Sequence, residues 1–133
     1  MSATTANQVT QSFDAVTAVA QHIFAKADGN PRGAEACDTL GEQALGVTNI
    51  GTNDKAPAGD AQAISIVMDG VALVQLEAGA GVSAGDEVTT GATGGAVTAV
   101  ATNWVMGVCK EGSADTSGTA LISVNLTGPY VKA

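Results

Sequence analysis

An all-β fold is what this sequence predicts, curled into a small sandwich or barrel from two pseudo-repeated β units with an N-terminal arm. Three observations point there. Apolar residues alternate with period two in several short runs, which is the pattern of half-buried strands. Seventeen glycines and three prolines punctuate the whole chain as turns and do not gather in one linker. A phrase of apolar residue, Gly and Val, closed by a second glycine, occurs twice: "LGVTNIG" at residues 45–51 and "MGVCKEG" at residues 106–112.

Residues 1–21 are read as the arm. "MSATTANQVTQ" is polar and offers no core face. From Ser12 onward, Phe13, Val16, Ala20, Ile23 and Phe24 fit a helical stripe, yet the run suits an extended chain equally. The arm is therefore extended or a short helix. A single β domain, residues 22–133, follows, with a first strand expected from His22.

"AISIVM" (63–68) sets Ile64, Ile66 and Met68 on one side and Ser65 and Val67 on the other, so it is a strand. Asp69-Gly70 reads as a tight hairpin turn. "VALVQLEA" (71–78) is a second strand, apolar on both faces and so central or covered on both sides. "EVTT" (87–90) is a short strand and "GATGG" (91–95) a turn. "AVTAVA" and "WVMGVC" are strand-like, and "GSADTSG" is a loop. "TALISVNL" (119–126) alternates again, with Ile122, Val124 and Leu126 on one side.

The two glycine phrases anchor a longer match. After each comes a loop, and then "ISIVMDG" (64–70) aligns with "ISVNLTG" (122–128) without a gap. Ile64, Ile66 and Met68 fall on Ile122, Val124 and Leu126. Facing alternates strictly along a strand, so a match in phase predicts the same buried face in both copies. Upstream, "HIFAKADGNPRGAEAC" lies on "DEVTTGATGGAVTA" with a longer first turn. The pseudo-repeats span about residues 22–70 and 86–128, joined by residues 71–84. A glycine inside a strand marks a bulge, a bend or a close backbone approach.

The chemistry-bearing residues are sparse. At 133 residues, 45% apolar and 3% aromatic, the chain builds its core from Ala, Val, Ile and Leu. Such side chains each bury little area, at about 25 cal/mol per Å². A thin core gains from burial against a partner. Thirteen acids against five bases give a net charge of −8, which opposes nucleic acid and anionic lipid alike. No run approaches a membrane-spanning helix. The start has neither a basic nor an apolar stretch, so no secretory signal is expected.

Cys37 and Cys109 form no CxxC pair and read as reduced, buried residues. His22 is the only histidine and has no companion at ligand spacing, so neither a zinc site nor a nucleophilic triad is expected. Asp60 and Asp86 each sit in "AGD", a turn pattern. Asp86 and Glu87 would face opposite ways on a strand. "GATGG" lacks the Lys-Ser/Thr and helix of a phosphate loop. Trp104 reads as a core residue, with an interface anchor as the alternative. No catalytic, cofactor-binding or metal residues are assigned, no cofactor is expected, and the chain is not expected to be an enzyme.

The phrases "ALGVTN", "AGDAQAISIVMDGVALV", "AGAGVSAGDEVTTGATGGAV" and "VMGVCKEGSADTSGTALISV", in that order, resemble the capsid cement or head decoration proteins of tailed bacteriophages. The likeness runs from about residue 24 to residue 126. Cys109 departs from the family, which usually has alanine there, and residues before Gln21 have no clear counterpart. The resemblance implies a non-enzymatic virion protein, assembled in the host cytoplasm. It would bind the exterior of an icosahedral head where major capsid proteins meet, as a trimer or dimer, and stabilise the shell. Neither nucleic acid nor membrane would be a partner. A self-assembling surface-layer, fibre or tail subunit, or a small-ligand or carbohydrate-binding β domain, are the alternatives.

Overall fold

The computed structural model describes residues 8–53 and 61–133. Among these residues there are nine strands and no helix: β1 (Val9–Ala15), β2 (Phe24–Ala27), β3 (Ala34–Ala36), β4 (Gly46–Ile50), β5 (Gln62–Gln75), β6 (Glu87–Thr90), β7 (Ala96–Thr98), β8 (Trp104–Glu111) and β9 (Leu121–Val131). All the ladders between them are antiparallel. The sheet runs β3-β2-β4-β5-β9-β8-β6-β7, with β1 attached to β5. The all-β fold read from alternation and glycine spacing is the fold observed.

The pairing is the same twice over. β2 pairs with β3 and β4, and β4 pairs with β5; β6 pairs with β7 and β8, and β8 pairs with β9. The registers correspond, since Ala25 faces Gly46 as Val88 faces Gly107. Loop hydrogen bonds repeat as well. His22 N donates to Thr48 O at 2.7 Å as Gly85 N donates to Cys109 O at 2.8 Å. Thr48 N reaches Ile23 O as Cys109 N reaches Asp86 O, both at 2.9 Å. These bonds equate His22 with Gly85, one residue away from the alignment read in the sequence.

The first strand of each unit lies outside residues 22–70 and 86–128. β1 pairs with residues 62–69 of β5, placing Phe13 opposite Ile64. Residues 70–75 of β5 pair with β9, placing Val74 opposite Ile122. Each unit is thus a five-stranded sheet, and β5 serves both, ending the first and opening the second. Residues 9–15 are strand and not helix, with Phe13 and Ala15 buried. The first strand after them begins at Phe24, because His22 holds a left-handed φ of 66° that breaks the extended chain.

Asp69-Gly70 is not a hairpin. Gly70 does take a left-handed φ of 93°, and its N–H bonds Asp69 Oδ1 at 2.9 Å, but the chain continues in the same strand. A tight turn forms only if the following residues fold back on the preceding ones. Here residues 70–75 have a better partner in β9. The left-handed glycine produces an irregularity instead. Val9 faces Asp69 and Thr10 faces Val67, which leaves Met68 out of the ladder and 36% exposed. Ile64 and Ile66 are buried as the alternation predicts, and so are Ile122, Val124 and Leu126. Met68 is the exception.

Packing repeats with the ladders. One core cluster holds Phe13, Ala15, Val19, Ala25, Ala34, Ile64 and Ile66, together with Ile23. Their counterparts Val74, Leu76, Val82, Val88, Ala96, Ile122 and Val124 all lie in the other cluster; Ile23 is matched by Asp86. That second cluster also gathers Phe24, Cys37, Val47 and Val67 from the first unit with Met106, Cys109 and Leu126 from the second. It fuses the two halves.

The duplicated glycines are explained by backbone approach. A Cβ on Gly46 would overlap the Val67 carbonyl oxygen, and one on Gly107 the Asn125 carbonyl oxygen. Val67 and Asn125 occupy the same position in the aligned strands. Gly51 and Gly112 approach the Val19 and Val82 carbonyls in the same matched way. Replacing Gly46 or Gly107 by alanine is expected to cost about 1–3 kcal/mol, since backbone and not a flexible tip must move. Gly128→Ala, where the space is open, is expected to lie within about 0.5 kcal/mol of wild type. Urea denaturation of the three variants checks the ordering.

Candidate interaction surface

Among the described residues no group of three or more His, Cys, Asp or Glu side chains could hold a metal ion. Asp86 accepts the Ser83 N–H at 3.0 Å, the turn role expected of it, while Glu87 turns to Lys132 at 2.8 Å. The two neighbouring carboxylates do not converge. Asp60 lies outside the described residues. Cys37 and Cys109 are free and buried. Desolvation pushes the Cys37 thiol up to about 12, and burial raises Cys109 as well, so neither is an activated nucleophile. Trp104 opens β8 only half-buried, opposite Val131, and is not the core residue expected. It stands next to a strand end, where the sheet no longer covers it.

What the surface offers is polar and apolar contact area, distributed unequally between the units. Lys26 bridges Asp38 at 2.7 Å and Glu42 at 3.0 Å. Those hydrogen bonds raise the Lys26 ammonium well above its ordinary range, and they hold the Asp38 carboxyl below its own. Glu42 also accepts the Thr39 N–H at 2.8 Å. In the second unit Asn103 does the same for Val100 at 3.0 Å, without charge. Leu40, Ile50, Val100, Tyr130 and Val131 are exposed apolar side chains. Backbone bonds from Trp104 N to Gly41 O and from Thr102 N to Lys132 O, both 2.9 Å, draw the loops carrying Leu40 and Val100 to the end of β9.

One concavity has a more specific lining. A cavity of about 200 Å³ is bordered by Gln8, Gln21, His22, Thr48, Asn49 and Leu73. Gln8 Nε2 donates to Val71 O at 2.8 Å and Gln21 Nε2 to Asn49 O at 2.9 Å. Thr48 Oγ1 donates to Ala20 O at 2.5 Å. The Oδ1 of Asn49 is buried and has no hydrogen-bond partner among the described residues. His22, singled out in the sequence only as a lone histidine, is brought to this rim by its left-handed backbone. The cavity itself had no sequence signal, because its residues come from four separate segments.

No family model matches the chain, and no curated protein matches it. Among solved structures it is similar to the head fibre gp8.5 N base of bacteriophage phi29. The TM-score is 0.63 at 19% identity, over 90% of this chain and 94% of that one. The likeness spans nearly the whole of both chains and shows a shared fold.

At the end of β9, Lys132 and Tyr130 both bond Glu87, and Lys132 first, then Tyr130, hold its carboxyl below the usual range. A carboxyl lowered by folding stabilises the fold at neutral pH, and that contribution disappears as pH falls through its folded value. Glu87→Gln is therefore expected to lower the melting temperature at pH 7 and to match wild type in acid. A difference independent of pH would remove Glu87 from this role.

Proposed function

We propose that the protein is a non-enzymatic structural component of a phage virion. It binds the outside of the head where major capsid subunits meet and stabilises the shell as a cement or decoration protein. The observation that carries this reading is the fold shared, over almost its full length, with the base of a phage head fibre. The surface is compatible. It presents exposed apolar side chains at strand ends and loops, and no constellation suited to bond-making chemistry among the described residues.

The physics of such a role follows from the thin core. A chain with two small cores of Val, Ile and Ala has little to spare, and association buries more apolar area. We take the unit on the shell to be a trimer or dimer. Many copies on one lattice act together, so a modest contact per copy reinforces the whole. The net charge of −8 keeps the protein away from nucleic acid and anionic membrane during assembly in the host cytoplasm.

A second reading is favoured by the identity of the neighbour: the chain serves as the base of a projecting fibre. Purified protein that polymerises without heads would favour a self-assembling subunit. For the cement reading, undecorated heads mixed with purified protein are expected to bind a fixed number of copies and to rupture at a higher temperature. Equal rupture temperatures with and without bound protein would overturn it.

A further inference from the structure

The two units diverge at the cavity beside His22, and the divergence has a direction. Where the second unit places Gly85 at a φ of 92°, the first places His22 at 66°. Glycine takes that conformation freely, while a residue with a Cβ is strained there. Where the second unit has Lys110, the first has Asn49, whose buried Oδ1 has no partner among the described residues. An observed strain next to an unanswered acceptor is the pattern of a site whose partner is elsewhere.

The wall opposite Asn49 is a strand edge. Gln75 N donates to His22 O at 2.7 Å, away from β9, and Val71 O accepts from Gln8 on that same side. Backbone groups in an antiparallel ladder point alternately to the two sides. The N–H and C=O of Leu73, midway between, therefore turn from β9 toward the side that the cavity occupies. The cavity lies where β5, after its irregularity at Gly70, has left β4 and gone to β9. Among the described residues no Lys, Arg, Asp or Glu lines it. Amides, a hydroxyl, an imidazole and a strand edge match a neutral peptide backbone, not an ion.

We propose that this cleft is a peptide-docking site. An extended segment of a shell subunit adds edge-on at Leu73 of β5, between the occupied Val71 O and Gln75 N, exchanging backbone hydrogen bonds with Leu73, and Asn49 turns its Oδ1 outward to accept an N–H from it. His22 closes the rim. This deepens the reading of the protein as a head-bound component and rests on it.

The test uses the full chain and undecorated heads, with variants that import what the second unit already carries: His22→Gly and Asn49→Lys. His22→Gly is expected to melt at or above the wild-type temperature, because strain is relieved, yet to bind heads at least about tenfold more weakly. Asn49→Lys is expected to weaken binding likewise. On wild-type protein, exchange of the Leu73 amide is expected to slow about tenfold or more on heads, relative to free protein. That measurement holds even if a variant misfolds. Heads that bind wild type and both variants equally, with Leu73 exchange unchanged, overturn the cleft and leave the head-bound role standing. Wild type that does not bind heads overturns both.

Discussion

One strand, β5, belongs to both halves of the molecule, and the rest of the structure depends on its running straight through Gly70. Its first part is held between β1 and β4, and its second part is held by β9. Were the chain to reverse at Asp69-Gly70, β9 would keep β8 but lose its partner on the other side, and each small core would lose a wall. The continuity also explains why the two clusters work as one body. Ile64 and Ile66 serve the first core, and Ala72 and Val74, further along the same strand, with Leu76 just past its end, serve the second.

Duplication supplies the framework, and departures from it supply the individuality. Shared positions are those where geometry is unforgiving: glycines against a neighbouring carbonyl, and Ile or Val facing the core. Positions that differ include core sites of changed size, such as Phe13 against Val74 and Ala25 against Val88, and sites at the surface or the cavity. Lys26 with its two carboxylates has Thr89 as its counterpart, and Thr89 Oγ1 is itself buried and without a partner among the described residues. His22 and Asn49 answer to Gly85 and Lys110. Each copy departs from the shared skeleton at its own positions: His22 and Asn49 in the first, and in the second Thr89 and Thr102, the latter left-handed where the first has Gly41.

Much of this was legible in the residues. β6 falls on residues 87–90, as the turn signals on either side of "EVTT" require. The phase of Ile122, Val124 and Leu126 gave the buried face, because period two leaves no other choice. The paired glycines inside strand patterns mark a close backbone approach by themselves. What was not legible was decided by distant partners. Asp69-Gly70 has the composition of a hairpin, and only β9 makes it an irregularity in a longer strand. β1 looked like a polar arm because Val9, Thr10, Gln11 and Ser12 are exposed. Its backbone ladder to β5 leaves no mark in the sequence, and only Phe13 and Ala15 are buried, too few to register as a pattern. The cleft beside His22 is assembled from residues far apart in the chain, none of them unusual alone.

Nuclear magnetic resonance of the isolated protein tests the through-running strand most directly. Leu73 and Ser123, and likewise Val71 and Asn125, stand opposite each other as pairs without mutual hydrogen bonds, where α-protons approach closely. Cross-strand contacts between those α-protons are the predicted result. Contacts folding Val71 back onto Met68, as a hairpin at Asp69-Gly70 demands, would contradict it.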